Sequence, residues 1–172
     1  SMETTCEEVS DGYIINGSKN WITNAPIADV FLIWAFDKEK KVHGFIVDKG
    51  TKGLTSEKIN KSSIKIAQAG KIFLKNVKVS KSSILPNTTG WKSIYSCINK
   101  ARYGIAWGAM GAAETCWFIA KDYAEKRIIN KKPLASKQLV QKKLADMMTE
   151  ISLGFAGCIL AGQSMDEDKD LK

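Results

Sequence analysis

The sequence predicts an α+β protein in which an antiparallel β-domain is followed by two long helices. Apolar and charged side chains alternate between residues 63 and 79, which is typical of strands with one face in water. From Trp91 onward the apolar residues instead recur at helical spacings. Between these halves, Ser80 to Gly90 is rich in Ser, Thr, Asn, Pro and Gly and marks a boundary. A chain of 172 residues, 44% of them apolar, can bury a core of this kind.

The first strands are predicted around Asn16-Gly17, the dipeptide most often found in type I′ hairpin turns. Residues 1–11 are expected to form an irregular lead-in. Gly12 to Ile15 then forms one strand of the hairpin, and the return strand leads into Trp21.

The segment Trp21-Ile22-Thr23 offers a flat aromatic ring beside a hydroxyl. In an extended chain side chains alternate, so Trp21 and Thr23 share one face while Ile22 points to the other. Such a face suits a planar heterocycle that takes stacking and one hydrogen bond. Both residue types are also ordinary in strands, so a purely structural role is the alternative.

Later strands follow from short apolar runs. Val30 to Trp34 is continuously apolar and is predicted to be a strand covered on both faces. A polar turn at 37–41 leads to a return strand from Val42 to Val47. Three more strands, each with one wet face, are predicted at Ser63 to Ile66, Lys71 to Leu74 and Val77 to Val79.

The first long helix is apolar nearly all round until Lys121, which predicts burial in a bundle or an oligomer. A stripe of small residues, Gly104, Gly108 and Gly111, predicts that a neighbour approaches closely, since each glycine otherwise costs about 1 kcal/mol of helix stability. The residues that share one face at spacings of three, four or seven are Tyr103, Trp107, Met110, Trp117 and Ala124.

The second helix is predicted to follow Pro133, with Ser136 as its N-cap and with residues 166–170 as its end or a loop. Its apolar face consists of Val140, Leu144, Met147, Ile151, Phe155, Cys158 and Gly162.

The net charge of +8 makes a nucleic acid or an acidic membrane a competing partner. The lysines are scattered from Lys19 to Lys143 without an arginine cluster, which favours a solvated surface whose field attracts an acidic ligand. The apolar run from Ile105 to Ala120 is interrupted by Glu114 and three glycines, so a membrane span is weakly supported. We therefore expect neither a nucleic-acid nor a membrane partner.

The four cysteines lie far apart and form no paired metal spacing, and His43 is the only histidine. Reduced thiols in an intracellular protein are the simplest interpretation, and no metal site is expected.

Three ordered motifs resemble the acyl-CoA dehydrogenase family. Trp21-Ile22-Thr23-Asn24 resembles its flavin-contacting motif, and residues 99–108 and 141–147 most closely resemble the glutaryl-CoA dehydrogenases within it. The similarity runs from Ser1 to about Asp168. It implies that residues 1–88 are an antiparallel, β-barrel-like middle domain lacking its first strand. Residues 89–172 would be the first two long helices of an incomplete helical bundle, the C-terminal domain.

The resemblance also implies binding residues. Trp21, Ile22 and Thr23 would contact the FAD isoalloxazine ring, with Thr23 bonded near N5. Arg127 and Gln138 would reach the FAD of a neighbouring subunit. The segment lining the CoA channel would be Tyr95, Ser96, Cys97, Ile98, Asn99, Lys100, Ala101 and Arg102.

Within that segment Asn99 and Arg102 are the strongest candidates, because an amide and a guanidinium suit nucleotide and phosphate groups. For Arg102 a surface ion pair is the alternative. One departure lies after Arg127, where the family usually carries Phe-Gly and this chain carries Asn130-Lys131. That change removes a stacking surface and a glycine suited to a turn.

The implied activity of the complete protein is oxidative decarboxylation of glutaryl-CoA to crotonyl-CoA and CO2, a step of lysine and tryptophan degradation. It would use FAD and an electron-transfer flavoprotein, in a homotetramer of the bacterial cytoplasm or mitochondrial matrix. The family's catalytic Glu would lie beyond Lys172, so no catalytic residue is assigned and this chain alone is expected to be inactive. Glu114 and Glu150 are interpreted as structural. The alternatives are another short-chain acyl-CoA dehydrogenase, or an inactive remnant that serves only as a binding or assembly module.

Overall fold

The computed structural model describes residues 3–88 and 90–167, which fall into two compact units, Ser1–Ile94 and Tyr95–Lys172. The strands of the first unit are β1 (Thr5–Val9), β2 (Gly12–Thr23), β3 (Val30–Phe36), β4 (Val42–Asp48), β5 (Leu54–Ile59) and β6 (Ala69–Ser80). The remaining elements are α1 (Trp91–Lys126), β7 (Ile128–Ile129), β8 (Lys132–Pro133) and α2 (Gln138–Asp166), with short 3-10 turns at Lys81–Ser83 and Leu134–Ser136.

Within the described residues, the first six strands form one sheet in the order β4-β3-β1-β2-β6-β5. Its neighbouring strands are antiparallel except β1 and β3, which meet in parallel at Thr5 and Phe36. The α+β class is confirmed. The sheet is nevertheless mixed, and its outer strands β4 and β5 do not pair with each other, so "barrel-like" describes it only loosely.

The predicted hairpin at Asn16-Gly17 is wrong, because the chain reverses at Ser10-Asp11 and the expected lead-in is strand β1. Strand β2 runs straight through Asn16-Gly17 with a shift of register. Asn16 Oδ1 accepts a hydrogen bond from the Asn76 N–H over 2.7 Å. Gly17 has φ +139°, and a Cβ there would lie 2.7 Å from the Cα of Thr4. The Asn-Gly pair therefore makes a bulge that admits the neighbouring chain.

The strand assignments around β5 and β6 also need correction. The segment 63–66 is a loop, whereas Lys71 to Leu74 and Val77 to Val79 belong to the single strand β6. Strand β5 was not predicted because only its end residues, Leu54 and Ile59, are half-buried and its interior is polar. An edge strand of this kind carries little apolar periodicity.

The core of the first unit lies on one side of the sheet. Strand β3 buries Phe31 and Ile33 but leaves Val30 57% and Leu32 52% exposed. The prediction that both faces of this strand are covered is therefore wrong for this chain. The largest fully buried side chains are those of Phe45, Ile15, Ile33, Ile72, Val47 and Val77.

The two long helices are confirmed. Ala124 of α1 and Ile151 and Cys158 of α2 are buried on their predicted faces, whereas Trp107 of the predicted α1 face is 36% exposed. Trp117 Nε1 donates a hydrogen bond to the Leu144 carbonyl over 2.9 Å, which joins α1 to α2. By length and composition α2 is apolar enough to cross a membrane, a property that core helices of soluble proteins share.

The close helix approach occurs at other glycines than those predicted. A Cβ on Gly104, Gly108 or Gly111 would meet nothing within 4 Å. A Cβ on Gly154 would overlap the Met110 thioether, and one on Gly162 would lie 2.5 Å from the Tyr103 hydroxyl. The large side chains of α1 thus pack onto glycines of α2.

The N-cap prediction is off by one residue, because α2 begins at Gln138 and its N-cap is Lys137, while Ser136 lies in the preceding 3-10 turn. The helix ends at Asp166. The part of the predicted end that comprises Asp168, Lys169 and Asp170 falls outside the described residues.

Candidate functional site

The segment at the end of β2 presents Trp21 on an irregular backbone. The pairing of β2 with β6 shifts register between Lys19 and Ile22, and Trp21 has φ +58°, a left-handed conformation that is uncommon for a bulky residue. The Trp21 N–H donates to Asn20 Oδ1 over 3.0 Å. Side chains therefore do not alternate regularly between the two faces of β2 at this point. The Trp21 indole is nevertheless 61% exposed, and Thr23 is exposed as well.

Hydrogen bonds hold the end of this segment in place. Ile22 packs on the core and pairs with Gly70, while Thr23 pairs with Ala69. Asn24 has φ +62°, and its N–H donates to the Gln68 carbonyl over 2.7 Å. Trp21 and Thr23 are consequently displayed from a rigid strand end.

Lys19 lies just before this segment and is half-buried. Burial lowers its pKa from 10.5 to about 8, because removal from water disfavours the charged form. Lys19 is the one titratable side chain among residues 19–24. Its burial therefore sets the pH at which this segment gains or loses its charge.

The second unit contains an open groove between α1 and α2, with a volume of about 550 Å³. Asn99, Arg102 and Tyr103 lie at its polar part, and Arg102 Nη1 donates to Asn99 Oδ1 over 3.3 Å. The rest of the groove is lined by Ala106, Ala109, Met110, Gly154, Gly157, Cys158 and Ala161. A lining of small and apolar residues with an amide and a guanidinium suits an extended apolar chain that carries a polar or anionic group.

Of the predicted channel segment, only Asn99 and Arg102 line this groove. Ile98 is half-buried, and the other members of the segment, Tyr95, Ser96, Cys97, Lys100 and Ala101, are exposed. The groove therefore singles out the two residues whose chemistry made them the strongest candidates.

Arg127 and Gln138 flank the short hairpin of β7 and β8. Both side chains are exposed; Arg127 precedes β7, and Gln138 is the first residue of α2. The Arg127 carbonyl accepts a hydrogen bond from the Leu134 N–H over 2.7 Å, which closes the connection. The turn of the hairpin is Asn130-Lys131, with φ of +50° and +63°.

No cluster of three or more His, Cys, Asp or Glu residues that could hold a metal occurs among residues 3–88 and 90–167. Glu114 is exposed on α1, and Glu150 lines a second cavity of about 300 Å³ beside Met110, Cys116 and Met147. Neither glutamate lines the larger groove.

Comparison with known families assigns both halves of the chain. Residues 1–77 match the acyl-CoA dehydrogenase middle domain, and residues 88–171 match the acyl-CoA dehydrogenase C-terminal domain. The chain belongs to the acyl-CoA dehydrogenase family.

Three relatives show how far the family assignment narrows the substrate. A glutaryl-CoA dehydrogenase of Desulfococcus multivorans is 30% identical over 98% of this chain and 45% of its own length. A short-chain specific acyl-CoA dehydrogenase of Megasphaera elsdenii is 35% identical over 87% of this chain and 41% of its own length. The crystal structure of a Mycobacterium smegmatis glutaryl-CoA dehydrogenase in complex with FADH2 superposes with a TM-score of 0.93, at 36% identity over 98% of this chain and 44% of that one. This member of the family thus spans less than half the length of these relatives, and they do not separate a glutaryl from a short-chain substrate.

The turn at Asn130-Lys131 has a regular geometry. Two successive left-handed residues make a type I′ turn, which asparagine tolerates and lysine adopts at a cost. The turn therefore forms without a glycine.

The groove residues contributed by α2 were not identified from the sequence. Gly154, Gly157, Cys158 and Ala161 recur at spacings of three, one and three, which is one face of a helix made of small side chains. That pattern could have predicted the groove, whereas the glycine stripe of α1, at Gly104, Gly108 and Gly111, does not line it.

Proposed function

We propose that the complete protein is a FAD-dependent acyl-CoA dehydrogenase acting on glutaryl-CoA, and that this chain supplies contacts to both FAD and the acyl-CoA. The observation that carries the proposal is the groove between α1 and α2, with Asn99 and Arg102 at its polar part. Its apolar length suits an acyl-pantetheine chain, and the guanidinium suits a CoA phosphate.

The flavin contacts are proposed for Trp21, Ile22 and Thr23. An exposed indole offers a stacking surface, and the adjacent Thr23 hydroxyl can donate or accept one hydrogen bond at the edge of a flavin ring. The hydrogen bond between Asn24 and Gln68 keeps the strand end rigid, so both groups are oriented before the cofactor arrives. Trp21, Ile22 and Thr23 would hold the flavin, which would supply a hydride acceptor for the β-carbon of the acyl group.

Residues of this chain would bind and orient but not remove the α-proton. A general base must lie within hydrogen-bond reach of the proton it takes, and neither Glu114 nor Glu150 lines the groove. We therefore propose that this chain alone does not turn over acyl-CoA. Reoxidation by an electron-transfer flavoprotein belongs to the same proposal, as does a homotetramer in which Arg127 and Gln138 reach a neighbouring FAD.

The substrate is tested by steady-state assays of the complete protein with glutaryl-CoA and butyryl-CoA, following dye reduction and CO2 release. We expect glutaryl-CoA to be preferred and to yield one CO2 for each two-electron reduction. A preference for butyryl-CoA without CO2 release would instead support the short-chain alternative, which the 35% identity to the Megasphaera enzyme favours. Turnover of either thioester by residues 1–172 alone would contradict the proposed lack of activity.

A further inference from the structure

The loop between β5 and β6 forms a basic pocket away from the residues proposed for FAD and acyl-CoA. Its volume is about 350 Å³. Three of its lining residues are lysines and two are side-chain amides; the lining consists of Lys58, Ile59, Asn60, Lys61, Lys65 and Gln68. We refer to these six residues as the lysine pocket.

The cations of the lysine pocket lack acidic partners within the described chain, where none of the three comes within 4.0 Å of a carboxylate. Glu57 precedes Lys58 in sequence, but it pairs across the sheet with Lys71 and alternation places it on the opposite face. Other lysines of the same unit do have carboxylate partners: Lys38 with Glu7, Lys41 with Glu39, Lys49 with Asp29, and Lys78 with Asp11. The pocket therefore concentrates positive charge that the surrounding chain does not neutralise.

The backbone holds these lysines together at some cost. The Lys61 ammonium donates to the Ala67 carbonyl, which fixes it against the wall of the loop. Ile64 has φ +45°, a left-handed conformation unfavourable for a β-branched residue, and its side chain is 72% exposed. The Ala67 N–H donates to the Ile64 carbonyl over 3.2 Å and completes the turn. The turn brings Lys61 and Lys65 to one cavity, and strain of this kind is common where a site is held in shape.

We propose that the lysine pocket binds the diphosphate group of an anionic ligand. Ammonium and amide groups supply donors, and phosphate oxygens are acceptors that form strong charge-assisted hydrogen bonds with them. Three cations suit a ligand with more than one negative charge, and the volume exceeds what a single small ion fills.

Two sources could supply this group: a free diphosphate, or the diphosphate of FAD held nearby. Thr23, Ala69 and Ile59 are cross-strand partners on three successive strands. At a strand spacing of about 4.8 Å, the backbone of the flavin segment is therefore roughly 10 Å from that of the pocket. None of the six pocket residues is a proposed FAD or acyl-CoA contact. A failure of diphosphate binding at the lysine pocket would therefore leave the proposed function untouched, and the reverse also holds.

The test is calorimetric titration of inorganic pyrophosphate into the chain at about 0.15 M salt, which screens non-specific attraction. The pocket variant is Lys58→Gln/Lys65→Gln. In the described residues, neither of these side chains donates a hydrogen bond to the loop backbone, as that of Lys61 does. The matched control is Lys52→Gln/Lys75→Gln, which removes the same charge from exposed positions of the same unit. Thermal melts monitored by circular dichroism check that both variants fold, and Lys61→Gln provides a second pocket variant.

We expect saturable binding that weakens about tenfold or more in the pocket variants and less than about twofold in the control. Absence of saturable binding, or equal loss in pocket and control variants, would overturn the proposal. Competition between pyrophosphate and FAD would assign the pocket to the cofactor, whereas simultaneous binding would assign it to a separate ligand; both outcomes support a diphosphate site.

Discussion

Arg102 donates a hydrogen bond to the side chain of Asn99, 3.3 Å away and one turn earlier in α1, where both residues line the groove between the helices. Asparagine accepts through its oxygen, so its amide N–H groups remain directed to other partners. The guanidinium is oriented by this contact while its remaining donors stay available for a phosphate or carboxylate. The contact between the two side chains thereby fixes a guanidinium at the polar part of the groove.

Replacing Arg102 with Lys should weaken binding of butyryl-CoA to the complete protein by about tenfold, because a single ammonium cannot reproduce a planar bidentate contact. The matched control is Lys100→Gln, which removes a positive charge from an exposed residue of the same segment that does not line the groove. Calorimetric titration measures both affinities. A loss in Lys100→Gln without one in Arg102→Lys, which keeps the positive charge, would show that general charge, and not the guanidinium in the groove, recognises the ligand.

Replacing Lys131 with Gly should stabilise the chain by about 1 kcal/mol, because a lysine at φ +63° pays a steric cost that glycine avoids. Asn130→Gly is the comparison, since asparagine tolerates its φ of +50° and little gain is expected there. Urea unfolding followed by circular dichroism gives both free energies. A loss of stability in Lys131→Gly would mean that the lysine side chain contributes more than its backbone conformation costs.

Lys19→Met should raise the free energy of unfolding at pH 7 by about 1 kcal/mol. This is less than the full pKa shift would give, because the side chain is only partly buried and water screens its charge. The folded pKa of about 8 lies below the unfolded value of 10.5, so burial penalises the charged folded state fully below pH 8. The penalty is relieved as pH rises from 8 towards 10.5. The advantage of the variant should shrink over that range, while Lys75→Met, at an exposed position, should show no such trend. A pH-independent difference would contradict this account.

The thiol of Cys6 should react with iodoacetamide far more slowly than the exposed thiols of Cys97 and Cys116. Burial, aided by the negative charge of Asp37, raises the pKa of Cys6 to about 11, so almost none of it is thiolate near pH 8. Mass spectrometry of timed quenches identifies the alkylated residues. Rapid labelling of Cys6 without denaturant would indicate that β1 detaches from the sheet in the native protein.

The helical half was predictable because tertiary packing reinforces its local pattern. Trp117 and Ala124 of α1, and Ile151 and Cys158 of α2, lie on the inward faces that their spacing predicts. The glycines were misjudged because sequence alone does not tell which helix supplies the large side chain at a close contact: Tyr103 and Met110 face Gly162 and Gly154.

The β-half was less predictable because long-range contacts override local signals there. Asn16-Gly17 carries a turn signature, but the approach of Thr4 and the N–H of Asn76 convert it into a bulge. Trp21 and Thr23 are exposed as expected, although the backbone reaches that result through a left-handed residue and not through regular alternation. Asn99 and Arg102 were singled out by the family resemblance of their segment and by their chemistry, whereas the small-residue lining of the groove requires the packed helices.

The most direct test of the account is a visible absorption spectrum of the chain mixed with FAD and then passed through gel filtration. We predict that a flavin band co-elutes with the wild-type chain and with Leu32→Ala, which removes an exposed apolar side chain of the same unit, but not with Trp21→Ala/Thr23→Val. A colourless wild-type chain, or a flavin band that the Trp21 and Thr23 substitutions leave unchanged, would contradict the claim that this strand end contacts the flavin.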